Sequence, residues 1–272
     1  MAPPQSERID PLFFGPRERP LFGCHHGPAS GAPSALGVVL APPLGHEHAR
    51  AHRALRRLAQ RLAEQGMRAL RFDFRGTGDS AGDRWPLSLA EWCEDLELAQ
   101  RELLLRARVP RCAVFGVRLS ATLALESAAR GRAPDSLVLW DPVLNGAEFT
   151  RELEALEARF EAGLPSRPTP KTEAEGRDGL ECLGFLWPRP LLEQLQGWPV
   201  PDFQRPPAAR VLLLEAELSQ AATDLAARLR ALGSQVAHER TEGARPWNED
   251  IDRGLVPAAD LERMVQFLGS AT

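Results

Sequence analysis

Short apolar segments alternate with amphipathic helical segments along most of this chain, and this alternation restricts the possible folds more than any other feature. Residues 36–41 (LGVVLA) form an apolar run that stops at Pro42 and Pro43, which is typical of a strand buried on both faces. Residues 48–65 follow, with leucines on one helical face and Gly66 as the C-terminal stop. Strands that alternate with such helices predict a mainly parallel sheet covered on both faces.

The same pattern continues to the C-terminus and predicts a three-layer α/β fold. One helix is expected to open with a capping box formed by Ser88 and Glu91, and another with Ser219 as its N-cap. Two apolar patches, at residues 13–15 and 21–24, suit a hairpin at the sheet edge. The remaining strands are predicted at residues 69–74, 112–117, 136–139, 210–214 and 235–239, and the remaining helices at residues 119–129 and 257–268.

One region, residues 146–207, breaks this alternation. It opens with a helical stripe that contains Phe149 and Leu153, passes through a stretch rich in proline and charged residues at 165–178, and ends with a second apolar segment. An insertion over the carboxyl ends of parallel strands is where a lid shapes a pocket. We therefore predict one domain over residues 1–272, with a core at 1–146 and 207–272 and an inserted helical cap at 147–206.

Composition and charge argue against several classes of partner. A net charge of −4 gives no basic surface for nucleic acid, and no run of about 18 apolar residues would span a membrane. The first ten residues carry prolines and charges in place of an apolar signal segment, so we expect a cytoplasmic protein. The four cysteines lack C-x-x-C spacing, and the Gly76-x-Gly78 pair is followed by an aspartate instead of a nucleotide-binding helix. We expect no metal and no cofactor.

Several motifs together resemble a known family. The run LRFDFRGTGDSAG at residues 70–82 resembles the strand and turn that follow the first long helix of α/β-hydrolases. APPLGHE at 41–47 stands at the position of their oxyanion-hole loop, and FGVRLSATLAL at 115–125 at the position of their nucleophile turn. With LVLWDPV at 137–143, these motifs resemble the serine-aminopeptidase-like hydrolases, which include the exosortase-A-system-associated hydrolases of bacterial exopolysaccharide gene clusters. The resemblance covers most of the chain and implies an α/β-hydrolase fold.

The nucleophile turn departs from the pattern that the resemblance implies. In α/β-hydrolases this turn reads G-x-S-x-G, because the serine must stand on a strained turn beside backbone N–H donors. The same five positions read GVRLS here, with Arg118 in the place of the serine. A guanidinium stays protonated and only donates hydrogen bonds, so it cannot attack a carbonyl. Ser120 stands in the place of the second glycine, either as a small residue required by packing or as a shifted nucleophile that needs a base.

The histidine that the resemblance implies is also missing. It is expected in the loop after the last strand, and TEGARPWNEDID at residues 241–252 contains none. His238 lies in the preceding predicted strand and is interpreted as a packed or surface residue. Acid candidates remain, since Asp141 follows one strand and Glu215 and Glu217 follow another. Acids alone do not form a catalytic triad.

Two hypotheses stay open for Arg118. Projection into a pocket beside a helix N-terminus favours a bound carboxylate or phosphate, whereas an internal ion pair with Asp141 or Glu47 would only keep the pocket folded. His46 and Glu47 are acid–base candidates, because the loop position that the resemblance implies brings them near Arg118. The residues expected to line a substrate pocket are Leu44, Gly45, Leu119, Trp187 and Trp247.

A metal site is the weaker interpretation of the histidines nearby. His48 and His52 are four residues apart and share one face of the predicted helix. In a metalloprotease helix a glutamate follows the first histidine directly, and Ala49 stands there. The H-x-x-x-H spacing alone therefore carries no metal assignment.

Two classes of function remain. The first is a non-standard hydrolase or acyltransferase acting on an ester, thioester or amide, in which Arg118 binds an anionic group of a small-molecule or acyl substrate. The second is a catalytically degenerate member that serves as a ligand-binding or partner protein in a biosynthetic or exopolysaccharide gene cluster. The test between them is whether the catalytic candidates converge on an open pocket or cancel one another in ion pairs. These candidates are Arg118, Ser120, Asp141, His46 and Glu47.

Overall fold

The computed structural model describes residues 7–29, 34–82, 87–131, 133–164, 178–198, 200–248 and 255–270. Eight strands form one sheet in these ranges. In spatial order they are β1-β2-β4-β3-β5-β6-β9-β10. Their bounds are β1 Glu7–Phe14, β2 Leu21–Pro28, β3 Leu36–Ala41, β4 Arg68–Phe72, β5 Arg111–Val117, β6 Ser136–Trp140, β9 Arg210–Glu215 and β10 Gln235–Arg240.

The sheet is parallel from β4 to β10, and its two antiparallel pairs are β1–β2 and β2–β4. All six residues of β3 are buried, as an apolar run between two neighbouring strands requires. The predicted edge hairpin is present, with Phe13 paired to Phe22 across its two strands. Because β4 and β5 flank β3, their carboxyl ends bring the three motif-bearing loops to one edge of the sheet.

Helices cover both faces of the sheet, and this confirms the predicted α/β fold class. Their bounds are α1 His46–Glu64, α2 Leu89–Ala107, α3 Leu119–Arg130, α6 Gln220–Ala231 and α7 Ala258–Gly269. One apolar cluster joins α1 and α7 to one face, and a larger cluster joins α2, α3 and α6 to the other. The capping box of Ser88 and Glu91 opens α2 as predicted, and Ser219 caps α6.

The segment between β6 and β9, called the insertion below, holds helix α4 (Gly146–Ala162), strands β7 (Gly179–Cys182) and β8 (Phe185–Pro188), and helix α5 (Arg189–Gln196). The antiparallel β7–β8 hairpin differs from the purely helical segment that the sequence predicts. Its two-residue turn places Leu183 and Gly184 at positive φ, the conformation that such a tight turn requires. The predicted polar stretch at 165–178 lies outside the described residues except for its last residue.

No helix in the described ranges has the length and apolar character needed to cross a membrane.

Candidate functional site

The turn between β5 and α3 has the strained geometry of a nucleophile turn. Arg118 adopts φ 56° and ψ −127° as the N-cap of α3, a backbone conformation that side chains other than glycine rarely adopt. Gly116 permits the close approach of strand and helix, because a Cβ atom there would lie 2.6 Å from the Cα of Ala121. The backbone N–H of Arg118 donates to the carbonyl oxygen of Trp140 at 2.9 Å. The β5–α3 turn, called the elbow below, therefore keeps the geometry of a nucleophile turn, although Arg118 stands in the place of the serine.

Ser120 lies beneath this turn with no exposed surface. Its hydroxyl accepts from the backbone N–H of Val117 at 2.9 Å and has the carbonyl oxygens of Ala41 and Val117 within 3.0 Å as acceptors. It thus bridges β5 and the end of β3. A hydroxyl engaged in this way has neither a free path to a substrate nor a neighbouring base.

Arg118 is neutralised by two carboxylates. Its Nε donates to Oε1 of Glu47 at 2.8 Å, and one terminal nitrogen donates to Oε2 of Glu152 at 2.7 Å. The guanidinium also lies 5.6 Å from the centre of the Phe149 ring on α4. Glu47 belongs to the first turn of α1 and Glu152 to α4, so the elbow joins the core to the insertion. We call Arg118, Glu47 and Glu152 the elbow seam.

Burial controls the electrostatics of the elbow seam. The side chain of Arg118 is 13% exposed and that of Glu47 is 3% exposed, whereas that of Glu152 is 51% exposed. Burial disfavours the charged guanidinium, but Glu47 and Glu152 outweigh this effect and raise the pKa of Arg118. Burial raises the pKa of Glu47, and the charge of Arg118 opposes that rise. Oε2 of Glu47 is buried without a hydrogen-bond partner in the described part of the chain.

His46 precedes Glu47 and is buried beside the elbow seam. Burial lowers the pKa of His46 to about 4, and the charges of Arg50 and Arg118 add to the effect. The imidazole is therefore neutral near pH 7. Its Nδ1 lies 3.8 Å from Sγ of Cys182 on β7, and burial raises the pKa of that thiol to about 12. The two groups form a neutral contact between the core and the insertion.

Asp141 forms a separate charged pair. Its Oδ1 accepts from the backbone N–H of Ala216 at 3.1 Å, and its Oδ2 lies 3.3 Å from Nε of Arg245. Arg245 belongs to the loop after β10, the loop in which the resemblance implies a histidine. Burial raises the pKa of Asp141, opposed by the N–H of Ala216 and by the charges of Arg245 and Arg118. Arg245 thus pairs with Asp141 from the loop in which the resemblance implies a histidine.

The other histidine and acid candidates lie apart from the elbow seam. His238 is partly buried in β10, and its Nε2 lies 2.8 Å from Oε2 of Glu215. Glu215 also accepts from the hydroxyl of Ser219 at the start of α6. This group supports the sheet edge and the cap of α6. Glu217 lies on the exposed side of the same loop.

A small cavity, called the cavity under Trp187 below, lies between the loop after β3 and the insertion. Its volume is about 50 Å³, room for a few water molecules. Leu44, Gly45 and Trp187, three of the predicted substrate-binding residues, line it together with Phe185 and Trp92. Nε1 of Trp187 is buried and has no hydrogen-bond partner among the described residues. Arg118, Glu47 and Asp141 do not line this cavity.

The structure places the other two predicted substrate-binding residues in the core. Leu119 is fully buried within α3, on the sheet face that packs against α2. Trp247 is 1% exposed and packs edge-on against Trp140, with ring centres 4.9 Å apart, in the cluster with α1 and α7. Neither side chain faces the cavity under Trp187, because apolar burial outweighs the loop position from which pocket lining was predicted.

Sequence reasoning did not identify two charged residues of this region. Glu152 borders the apolar stripe of α4, one turn after Phe149, and that position is the signal by which it could have been found. Arg245 stands in an irregular loop with no periodic pattern, so no sequence signal pairs it with Asp141. Together these residues neutralise the charges of Arg118 and Asp141 within the protein.

Comparison with known families identifies one match over more than half of the chain. The model of the family described as serine aminopeptidase, S33, matches residues 35–179. That range contains the loop after β3, the glycine-containing turn after β4 and the elbow. No curated protein sequence shows significant similarity to the chain.

Solved structures similar to this one have the same fold at low sequence identity. A hypothetical protein of Pseudomonas aeruginosa is 18% identical with a TM-score of 0.67, over 97% of this chain and 94% of its own. An esterase of Pyrococcus furiosus is 14% identical with a TM-score of 0.63, over 97% of this chain and 93% of its own. The protein Est1E of Butyrivibrio proteoclasticus, solved with ferulic acid bound, is 18% identical with a TM-score of 0.63, over 94% of this chain and 99% of its own.

Proposed function

The chain belongs to the serine aminopeptidase S33 family of α/β-hydrolases. We propose that it is a catalytically degenerate member of this family, acting as a ligand-binding or partner protein. The observation that carries the proposal is the elbow seam. Arg118 stands at the nucleophile position, and its guanidinium is bound by Glu47 and Glu152. The retained fold therefore surrounds a site whose charges are satisfied internally.

The chemistry of the remaining side chains supports this proposal. A serine hydrolase needs a nucleophile, a base within hydrogen-bond reach and a group that orients the base. Ser120 is bound to the backbone, and Arg245 in place of a histidine holds Asp141. Among the described residues, the hydrogen-bond partners of the Ser120 hydroxyl are backbone groups, and no histidine or carboxylate is bonded to it.

The ligand-binding role rests on the space beside the seam. The cavity under Trp187 is small and mostly apolar in its lining, with an unpartnered indole N–H at its wall. Such a site suits a small ligand or the tip of a partner side chain better than a large acyl substrate. From the subgroup resemblance we propose that such a partner protein serves in a biosynthetic or exopolysaccharide gene cluster.

A second candidate function is favoured by one specific observation. Oε2 of Glu47 is buried without a partner, and burial raises the pKa of that carboxyl. A carboxyl of this kind is suited to proton transfer. If the insertion moved Glu152 away, Arg118 could bind an anionic group of an ester, thioester or amide substrate beside Glu47. The chain would then be a serine-independent hydrolase or acyltransferase.

Intact mass after incubation with a fluorophosphonate probe tests the proposal. We expect no added mass on the natural protein, on Ser120→Ala, or on Arg118→Ser, because a serine restored at the elbow still lacks a base. The P. furiosus esterase serves as the positive control for the probe. Labelling of the natural protein that disappears in Ser120→Ala would establish a shifted nucleophile and overturn the proposal.

Hydrolysis of p-nitrophenyl acetate and of a short acyl thioester separates the two candidate functions. We expect rates equal to buffer for the natural protein and for Glu47→Gln. A rate that is lost in Glu47→Gln and kept in Ser120→Ala would instead favour the serine-independent enzyme. Glu154→Gln on α4 is a matched control, since it removes one exposed carboxylate from the helix that carries Glu152.

A further inference from the structure

A second, larger pocket lies between α1 and the sheet, away from the elbow seam. Its volume is about 280 Å³. Cys24 on β2, Leu40 on β3 and Arg71 on β4 form its floor, since these residues are cross-strand neighbours on the face covered by α1. His52 and Leu55 line it from α1. We call this space the α1 pocket.

Arg71 is a half-buried cation on the floor of the α1 pocket. Its Nε donates to Nε2 of His26 at 3.0 Å, while Nδ1 of His26 lies 3.0 Å from a carboxylate oxygen of Glu7. These contacts require His26 to be neutral, with its proton on Nδ1. Within the described ranges no carboxylate forms an ion pair with Arg71. Burial lowers the pKa of Arg71, as expected for a desolvated cation.

Carboxylates line the α1 pocket as well as Arg71. Asp73 and Asp79 both contribute to its wall, and Oδ2 of Asp73 accepts from the backbone N–H of Asp79 at 3.1 Å. Oδ1 of Asp73 lies 3.3 Å from Nε2 of His48. Burial opposes ionisation of Asp73, but His48 and the Asp79 N–H outweigh it and lower the pKa of its carboxyl. Asp73 is therefore an anion near neutral pH.

Apolar side chains also line the α1 pocket. They include Phe22, Leu40 and Leu55, which contribute to its wall together with Arg71 and the aspartates. A simple anion bound to Arg71 would face Asp73, and a simple cation bound to Asp73 would face Arg71. A ligand that carries both charges satisfies each side, and an apolar group on it would contact the walls.

We propose that the α1 pocket binds a free α-amino acid with an apolar side chain, its carboxylate on the Arg71 guanidinium and its ammonium group facing Asp73 and Asp79. No group of three or more metal-binding side chains is brought together in the described part of the chain. The neutral imidazole of His52 at the mouth can donate a further hydrogen bond to the carboxylate. The proposal is independent of the elbow seam.

Isothermal titration calorimetry with three matched probes tests this proposal. L-leucine carries both charges, isocaproate lacks the amine, and isoamylamine lacks the carboxylate. We expect saturable one-to-one binding of L-leucine and about tenfold or more weaker binding of each analogue, because each leaves one charged side unpaired. Absence of saturable L-leucine binding, or isocaproate binding as tight as L-leucine, would overturn the proposal.

Variants assign the binding to this pocket. Arg71→Gln should weaken L-leucine binding by about tenfold or more and should not weaken isoamylamine, which loses a repelling charge. Asp73→Asn should weaken L-leucine and should not weaken isocaproate, for the same reason. Unchanged L-leucine affinity in Arg71→Gln would rule out this pocket as the site.

One further pair of variants tests the proposal even if Arg71→Gln or Asp73→Asn fails to fold. His52 is exposed at the pocket mouth, so His52→Glu should fold and still weaken L-leucine binding severalfold by repelling its carboxylate. Arg53→Gln makes the same change in net charge on the exposed face of α1, outside the pocket, and should bind as the natural protein does. Equal weakening in both variants would show a general charge effect and overturn the proposal.

Discussion

Arg118 at the elbow and Arg71 in the α1 pocket are both partly buried arginines near the carboxyl edge of the sheet, but their surroundings differ. Arg118 is bound by two carboxylates, one from the core and one from the insertion. Arg71 has a neutral histidine as its recorded hydrogen-bond partner. The charge of Arg118 is neutralised within the protein, whereas the charge of Arg71 faces a pocket.

This difference shows that a charged residue at a family's catalytic position does not by itself mark a binding site. A guanidinium that is paired internally must lose those partners before it can bind a ligand, and the loss costs free energy. An unpaired guanidinium beside an open volume needs no such exchange. We therefore expect substitutions at the elbow seam to change stability, and substitutions in the α1 pocket to change ligand binding.

The largest effect is expected from Arg118→Gln. The substitution leaves Glu47 buried without its cation, and breaking a buried ion pair from one side typically costs about 3–5 kcal/mol. Urea unfolding followed by tryptophan fluorescence measures the free energy of unfolding. Arg118→Met combined with Glu47→Leu should recover most of the loss, because it removes both charges.

A cost below about 1 kcal/mol for Arg118→Gln would break the comparison, since that is the range of an exposed ion pair. Glu47 would then be solvated or protonated in solution, and the elbow would be open to ligands.

A smaller effect is expected when the pH falls from 7 to 5. Burial lowers the pKa of His46 to about 4 in the folded chain, whereas an unfolded histidine titrates near its ordinary value of about 6.5. The unfolded chain therefore binds more protons between these values. The stability that neutral His46 contributes is present above the unfolded pKa and is lost as the pH falls towards 4, by about 2 kcal/mol at pH 5.

Comparison of two variants assigns that loss to the elbow region. Part of the change in unfolding free energy between pH 7 and pH 5 comes from protonation of His46. His46→Leu should remove most of that part. His52→Gln at the exposed mouth of the α1 pocket should alter the change much less. If both variants altered this change equally, the loss of stability at pH 5 would arise in the elbow region and at the α1 pocket alike.

Most of the fold could be predicted from the sequence, because the central strands β3, β5, β6 and β9 are apolar runs whose pattern reflects burial on both faces. Residues 36–41 were predicted as a strand and are all buried, and the Ser88 capping box opens α2 as expected. The β7–β8 hairpin could not be predicted, because its strands are four residues long and its turn places Leu183 at positive φ, which leucine rarely adopts.

The elbow could be predicted only in part. The pair of Arg118 with Glu47 was one of two stated alternatives, because motif order places both residues at neighbouring strand ends. Glu152 and Arg245 reach the region through the docking of the insertion and of a loop, which depends on tertiary packing. The sequence did not mark Arg71 as a ligand-binding residue, since an arginine in a strand pattern does not reveal whether its partner is an acid.

Arg71→Gln should cost about 1 kcal/mol or less in the absence of ligand, although Arg71 is partly buried like Arg118. The variant loses one hydrogen bond to His26, worth about 1 kcal/mol, and also removes a desolvated charge that forms no ion pair with a carboxylate of the described residues. Urea unfolding without ligand measures this cost. A loss as large as that of Arg118→Gln would mean that Arg71 is internally paired in solution, and the contrast between the two arginines would fail.

The smallest effect is expected from Glu152→Gln, which tests how the elbow seam divides between its two acids. Glu152 is half exposed, and an exposed ion pair contributes about 0.5 kcal/mol, so Arg118 should remain bound to Glu47 with little loss of stability. Glu154→Gln on the same helix is the matched control for charge and helix propensity. If Glu152→Gln cost as much as Arg118→Gln, the contact with the insertion would carry the seam, and movement of α4 would be enough to free Arg118 for an anionic ligand.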